Sequence, residues 1–242
     1  MATTGSGIAT NLRHLRGRRG ARAPRAPGTG AAGRVPRPME SLREAVWQAV
    51  PEDVEPERFA VRRAFLLTHV GPADRVLDAG CGAGAFAAAL ADHGAEVVGV
   101  DVSHEAIRRA RRAHAGRATD LRVVPEGVAL PFEEDAFDTV WAGEVLEHIV
   151  DPVGWLADVR RVLRWGGRLV LTTPYHGRVS TVLLGLRAAA FDAHFDPRAD
   201  HLRFFSARTL DGLLRDAGFA EVDLRAVGGP PLLRHSFHVV AS

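Results

Sequence analysis

Arg75-Val76-Leu77-Asp78-Ala79-Gly80-Cys81-Gly82-Ala83-Gly84-Ala85-Phe86 is the stretch that decides the fold. Val76, Leu77 and Ala79 form a short apolar run, three alternate glycines form a turn, and the alanine-rich segment from Ala83 to Leu90 has high helix propensity. The order is strand, loop, helix. Glycines let the backbone approach a ligand closely, and the helix N-terminus behind them presents unpaired N–H groups. A nucleotide-like ligand is the expected guest.

A dinucleotide fingerprint wants Gly-x-Gly-x-x-Gly. Here the third glycine comes one residue early, as Gly80-x-Gly82-x-Gly84, and Ala85 stands where the last would fall. A phosphate-binding loop with Gly-Lys-Ser/Thr is excluded, because the chain contains no lysine. The next apolar run, Glu96-Val97-Val98-Gly99-Val100, ends in Asp101, a carboxylate placed to accept both hydroxyls of a ribose.

Working outward, the ordered runs "VLDAGCGAGAFAAAL", "VVGVD", "PEGVALPFEEDAFDTVWAGEVLEHIVDP", "LRWGGRLVLTTP" and "HLRFFSARTLDGLLRDAGF" cover roughly residues 75 to 220. At this spacing the chain resembles the class I S-adenosylmethionine-dependent methyltransferases. The resemblance implies an α/β fold with a Rossmann-like seven-stranded sheet, mostly parallel with an antiparallel last strand, flanked by helices. It implies S-adenosyl-L-methionine as methyl donor. Residue by residue, it assigns Asp78 and Gly80 to the methionine end and Asp101 to the ribose. Glu126 goes to the adenine amino group, the Gly127 N–H to a ring nitrogen, and the backbone near Ala142 and Gly143 to the sulfonium side. Gly82 and Gly84 belong to the same cofactor loop and serve its turn geometry as well.

The 242 residues, 46% of them hydrophobic, can bury one α/β core. No run of eighteen apolar residues exists, which removes a transmembrane span. The single cysteine, Cys81, lies inside the glycine loop, so no intrachain disulfide forms, and a reducing, cytoplasmic setting fits. Charge is unevenly spread. Residues 1–39 carry eight arginines and no acid, leaving 23 arginines against 29 acids in the remainder, a net of −6. The acidic remainder does not point to nucleic acid, which is usually met by a basic face. Rich in Gly, Ala, Pro and Arg, residues 1–39 read as a disordered basic tail, and a solvated arm, a transit-type leader and an RNA- or lipid-contacting segment all stay open for it. By the resemblance, residues 40–242 are expected to form the methyltransferase domain.

Two amphipathic helices are expected around Ser41 to Val50 and Pro56 to Val70, with Val46, Trp47, Phe59, Val61, Phe65 and Leu66 serving mainly as core. Ser103 caps a helix to about His114, whose Arg108, Arg109, Arg111 and Arg112 read as a solvated face. Leu121 to Val124 and Phe137 to Trp141 are strands; Val128, Leu130, Pro131 and Phe132 between them would wrap the adenine edge or fill core. Asp151-Pro152 opens a helix that Gly166-Gly167 would stop, and Arg168 to Thr173 is the fifth strand. Trp165, where the family usually has proline, is expected to change only local packing. Residues 174–205, with Tyr175, His176, Phe191, His194, Phe195 and His201, form the least regular part, and the resemblance implies an acceptor lid there. Ser206 caps a further helix, and Phe219 to Val227 with Phe237 to Ala241 close the sheet as a hairpin.

A hydroxyl acceptor must lose its proton, which calls for a general base or a metal that lowers the hydroxyl pKa. Glu144, Glu147 and His148 stand at i, i+3 and i+4, which on a helical turn would share one face. With His201 arriving from the lid they would make a facial site for Mg or Mn. This Glu-x-x-Glu-His with a later Asp-His is similar to the ubiquinone-biosynthesis O-methyltransferases and the small-RNA 2′-O-methyltransferases, where such residues bind a divalent ion beside vicinal hydroxyls. His148 or His201 as a metal-free base, and plain packing, remain alternatives. The expected activity is methyl transfer to a small-molecule acceptor, a hydroxyl on a phenolic, quinone-precursor or sugar-like compound. RNA 2′-hydroxyl methylation, a catalytically inactive binding protein of the same fold and a nicotinamide dehydrogenase are its rivals.

Overall fold

The structure is a computed structural model that describes residues 38–52, 54–196 and 200–242; the basic tail expected over residues 1–39 falls, through residue 37, outside the described residues. Two helices, α1 (Pro38–Ala49) and α2 (Phe59–Leu67), precede an alternation of strands and helices: β1 (Arg75–Ala79), α3 (Ala85–Asp92), β2 (Glu96–Asp101), α4 (His104–Ala113), β3 (Thr119–Val123), β4 (Phe137–Gly143), α5 (Pro152–Val162) and β5 (Leu163–Pro174). The chain then runs through α6 (Arg178–Gly185), α7 (Ala188–His194), α8 (Ala207–Asp216), β6 (Val222–Val227) and β7 (Ser236–Ala241). The seven strands lie in the order β3-β2-β1-β4-β5-β7-β6. All pairs among β1 to β5 are parallel, and β7 runs antiparallel to both β5 and β6. This is the sheet the motif order implied.

Alternation along the strands divides the core in two. On one face Leu77, Ala79, Val140, Ala142, Leu169, Leu171, Phe237 and Val239 pack with Leu156, Val159, Leu210 and Leu214 of α5 and α8. On the other Val76, Val97, Trp141 and Val170 pack with Leu66, Phe86, Leu90, Ile107 and Ala110 of α2, α3 and α4. Asp78, two residues after Val76, therefore belongs to the second face, as does Gly143, two after Trp141. The strand order reverses between β1 and β4, and the crevice outside the carboxyl ends there is the expected ligand position in an open α/β sheet.

Local signals hold at the caps. The Ser103 hydroxyl accepts from Ala106 N at 3.1 Å, the Asp151 carboxylate from Gly154 N at 3.1 Å, and Ser206 with Thr209 forms a reciprocal capping box. Elsewhere tertiary contacts correct the sequence expectation. Gly166-Gly167 does not stop α5: the chain leaves the helix at Leu163 directly into β5, because Leu163 pairs with Phe137. The glycines instead form a bulge, with Thr139 next paired to Arg168. Trp165 beside them is 87% exposed, so it packs against nothing of consequence. Pro56 lies ahead of α2, which opens at Phe59 behind Arg58 in left-handed conformation (φ 54°), and Val61 points to solvent. The arginine run of α4 is more than a solvated face. Arg109 is buried, bonds Glu105 at 2.6 Å and donates to the Val50 carbonyl at 2.7 Å, while Arg112 and, at 3.9 Å, Arg108 pair with Glu52, so three of the four fasten the end of α1. The 174–205 segment holds two helices, α6 and α7, neither with a buried residue. No helix among the described residues is long and apolar enough to cross a membrane.

Candidate functional site

The glycine turn is held by its neighbours. Gly80 N and Cys81 N both donate to the Val100 carbonyl, at 2.8 and 2.9 Å, and Gly80, Gly82 and Gly84 all have positive φ, which side chains with a Cβ resist. Each glycine is also a close approach. A Cβ at Gly80 would sit 2.5 Å from Val145, one at Gly82 2.6 Å from the Trp47 ring, and one at Gly84 2.9 Å from His114. Trp47 of α1 thus lies over the loop, a contact that apolar periodicity in α1 could not distinguish from core. Asp101 at the end of β2 accepts from Gly82 N through Oδ2 and from Ser103 N through Oδ1, both at 2.9 Å. Its carboxylate fixes loop and helix start, and each oxygen keeps a further lone pair for a hydroxyl. Burial pushes its pKa up against those two hydrogen bonds.

Asp78 is 1% exposed, and its Oδ2 has no hydrogen-bond partner among the described residues. Burial, with the Asp101 charge second, raises its carboxyl to about 7. A buried, unpartnered carboxylate oxygen is costly unless a cation arrives. Beside it stands Arg62 of α2, also buried, which the sequence reading did not single out. Its guanidinium lies 4.9 Å from the Phe86 ring centroid and 5.8 Å from that of Trp141. Nε donates to Thr172 Oγ1 at 3.1 Å and Nη1 to the Glu57 carbonyl at 3.2 Å, yet no carboxylate of the described residues lies within ion-pair distance. Burial lowers its pKa, and Glu144, Glu147 and Asp78 draw it back up. Gly143 is required here: a Cβ would fall 2.3 Å from Arg62 Nη2 and 2.5 Å from the Trp141 ring. The signal was present in the sequence only as an arginine among apolar neighbours on α2.

At the far side, Glu126 is half-buried in a turn after β3, and Gly127 follows at φ 67°. Leu130 is core and Phe132 meets Phe137 edge-on at 5.0 Å, whereas Val128 is exposed. Arg161 of α5 clasps this loop by donating to the Phe132 and Leu130 carbonyls at 2.6 and 2.9 Å.

The segment after β4 departs from the helical turn expected of it. Glu144 takes a left-handed backbone (φ 59°), its N–H donating to the Thr172 carbonyl at 2.8 Å, and only Leu146–His148 form a single 3-10 turn. Glu144 therefore does not share a helix face with Glu147 and His148. Glu147 is buried; Oε2 accepts from Thr173 Oγ1 at 2.9 Å, Oε1 has no partner among the described residues, and burial with the Glu144 charge holds its carboxyl well above the usual range. His148 Nδ1 stands 2.9 Å from the Asp200 carbonyl, and burial and the Arg43 guanidinium hold its pKa well below that of a free imidazole. One ligand atom each from Glu147, His148 and His201 lies within 4.8 Å of the others; Glu144 is outside this group. The His148 and His201 ring centroids are 4.8 Å apart, and past them His176, His194 and Phe204 pack together with Phe195 and Phe191 of the 174–205 segment. Two imidazoles, one carboxylate and a wall of rings thus meet at the carboxyl end of β4.

Against known proteins, a family profile described as a methyltransferase domain matches residues 39–224. The chain is 32% identical over 162 residues to a ubiquinone biosynthesis O-methyltransferase of Ralstonia nicotianae, covering 65% of this chain and 68% of that one. It is 30% identical over 206 residues to the protein of that name from Hahella chejuensis, covering 81% and 84%. Among solved structures it resembles an S-adenosylmethionine dependent methyltransferase from Mesorhizobium loti (TM-score 0.62, 20% identity, 79% of this chain and 99% of that one). It also resembles a Haloferax volcanii protein described as a putative methyltransferase in complex with the Trm112 methyltransferase activator (TM-score 0.63, 21% identity, 86% and 98%).

Proposed function

The chain belongs to the methyltransferase-domain family with S-adenosylmethionine as methyl donor, and from that premise we propose that it methylates a hydroxyl of a small aromatic acceptor. The observation that carries this reading is His148: a half-buried, neutral imidazole, tied down at Nδ1, at the end of β4 and under a lid of histidine and phenylalanine rings. The relatives named O-methyltransferases support the hydroxyl, and stacked rings suit a planar acceptor.

On the donor side the residues fit the cofactor. The orphaned Asp78 oxygen suits the α-ammonium of the methionine end, and buried Arg62, lacking a carboxylate partner, suits its α-carboxylate. Asp101 and Glu126 take the ribose and the adenine, with the Gly127 N–H beside the ring. When bound, the donor supplies an activated methyl on sulfonium, and what remains for the chain is orientation and proton removal. The acceptor oxygen bonds the methyl carbon, the sulfur–carbon bond breaks, S-adenosylhomocysteine leaves, and the acceptor proton passes to His148 Nε2.

A second reading uses a divalent ion, because Glu147 Oε1 is buried without a partner among the described residues and three ligand atoms converge. Glu147, His148 and His201 would hold it, and it would lower the pKa of the acceptor hydroxyl. The test is methyl transfer from labelled S-adenosylmethionine to a panel of catechols and phenols, with and without EDTA. The proposed function expects labelled product and a loss of at least about 100-fold in His148→Ala, in line with the general-base contribution. Product that vanishes with EDTA and returns with Mg²⁺ or Mn²⁺ selects the ion; full activity in His148→Ala rejects both roles. Absence of S-adenosylhomocysteine binding by calorimetry would sink the enzyme reading itself.

A further inference from the structure

Helix α1 carries Arg43, Glu44 and Trp47, and they touch three different walls of the cleft. Trp47 lies on Gly82 of the donor loop. Glu44 Oε2 accepts from Ser103 Oγ at 2.7 Å and from Glu105 N at 3.3 Å, at the start of α4 beside Asp101. Arg43 reaches the acceptor side instead, where Nη1 is 3.2 Å from Asp200 Oδ2 and Nη2 is 3.3 Å from the Asp200 carbonyl oxygen. Asp200 is 3% exposed, and that same carbonyl oxygen is the partner of His148 Nδ1.

We infer that Arg43 is a positioning residue for His148, acting through Asp200, so that the helix lying over the donor loop also sets the acceptor-side imidazole. This rests on the reading of His148 as the group that meets the acceptor. A carbonyl oxygen can only accept, so Nδ1 must carry the hydrogen, and the lone pair of the neutral ring then stands on Nε2. The proton-accepting nitrogen is thereby chosen by the orientation of one backbone carbonyl. Arg43 grips the residue bearing that carbonyl at two points, its carboxylate and its main chain, and two points fix rotation where one fixes only distance. Without Arg43, the Asp200 carboxylate keeps no cationic partner among the described residues, only the neutral His148 ring 3.9 Å away. A buried carboxylate so exposed to desolvation turns toward water and takes its carbonyl with it. An orientation that holds a base also holds a metal ligand, so the inference is the same for either role of His148.

The experiment is nitrogen NMR of histidine-labelled protein saturated with S-adenosylhomocysteine, for wild type, Arg43→Ala, Arg43→Gln and Glu44→Gln, with calorimetric S-adenosylhomocysteine affinities alongside. In wild type His148 is expected as the Nδ1–H tautomer. Both Arg43 variants should shift it toward Nε2–H while affinity stays within about threefold. Glu44→Gln should lower affinity and leave the tautomer alone. An unchanged tautomer in a folded Arg43 variant overturns the inference, as does an affinity loss with no tautomer change, which would make Arg43 a plain α1 anchor. The Gln variant, shorter and uncharged, keeps a polar side chain on α1 without the two-point grip on Asp200 if Ala does not fold. None of these readouts needs turnover, so they stand apart from the His148→Ala test of the proposed function.

Discussion

Asp78 concentrates the conflict between stability and binding in one side chain. Its folded pKa of about 7 lies above the ordinary carboxylate value of 3.8, so the folded protein holds a proton that the unfolded chain has already released. For an acid whose pKa is raised, stability is lost as pH rises from the unfolded toward the folded value, by up to about 4 kcal/mol for roughly three units. Asp78→Asn should therefore melt higher than wild type at pH 8 and equally near pH 4, read by calorimetry of the free protein. The same variant should bind S-adenosylhomocysteine about 100-fold more weakly at pH 8, a charged hydrogen bond of about 1.5–3 kcal/mol. Wild-type affinity should fall as pH drops below 7, because the ammonium loses its anionic partner, while Asp78→Asn should show no such pH dependence. Gly143→Ala belongs to the same scale. Its methyl would occupy the place of Arg62 Nη2 and press on Trp141, so about 1–3 kcal/mol of stability and most donor affinity should be lost together, by denaturant titration and calorimetry.

Elements decide how those residues are presented. The bulge in β5 holds two glycines that look alike in sequence and differ in cause. Gly166 has φ 71° and nothing within 4 Å of a Cβ, whereas a Cβ at Gly167 would meet the backbone carbonyl oxygens of Arg164, Asp138 and Phe137 at 2.9, 3.1 and 3.2 Å. Gly166→Ala should cost only the left-handed penalty of about 1–2 kcal/mol. Gly167→Ala pushes rigid backbone and should cost at least as much again, visible as a lower denaturation midpoint, while Trp165→Ser nearby should change stability by less than about 0.5 kcal/mol. Capping was legible at this level because a serine or aspartate two or three residues from its N–H partner acts locally. The bulge and the fastening of α1 by Arg109 were not, since both depend on a partner distant in sequence.

Across the whole molecule, the proposed donor site draws on the loop after β1, the end of β2, the turn after β3, the end of β4 and α2, so one ligand there would join elements from both halves of the sheet. Saturation with S-adenosylhomocysteine at about 100 times its dissociation constant should add about 2.7 kcal/mol, a melting rise of about 5–10 °C for a domain of this size, absent in Asp78→Asn. A wild-type melting curve that ignores the ligand would contradict the donor site. The sequence by itself determined the α/β order, the glycine turn, Asp101 and the caps, because strand period, turn glycines and capping hydroxyls act within a few residues along the chain. It also singled out Glu144, Glu147, His148 and His201 as one candidate group for a metal or a proton. Only the tertiary structure decided that Glu144 stands apart from them with a left-handed backbone, that among the described residues buried Arg62 has no carboxylate partner and buried Asp78 has one oxygen without a hydrogen bond, and that Arg43 reaches Asp200 behind His148. Those outcomes depend on which distant side chain fills a given space and on the desolvation that follows, and neither is written in the local order of residues.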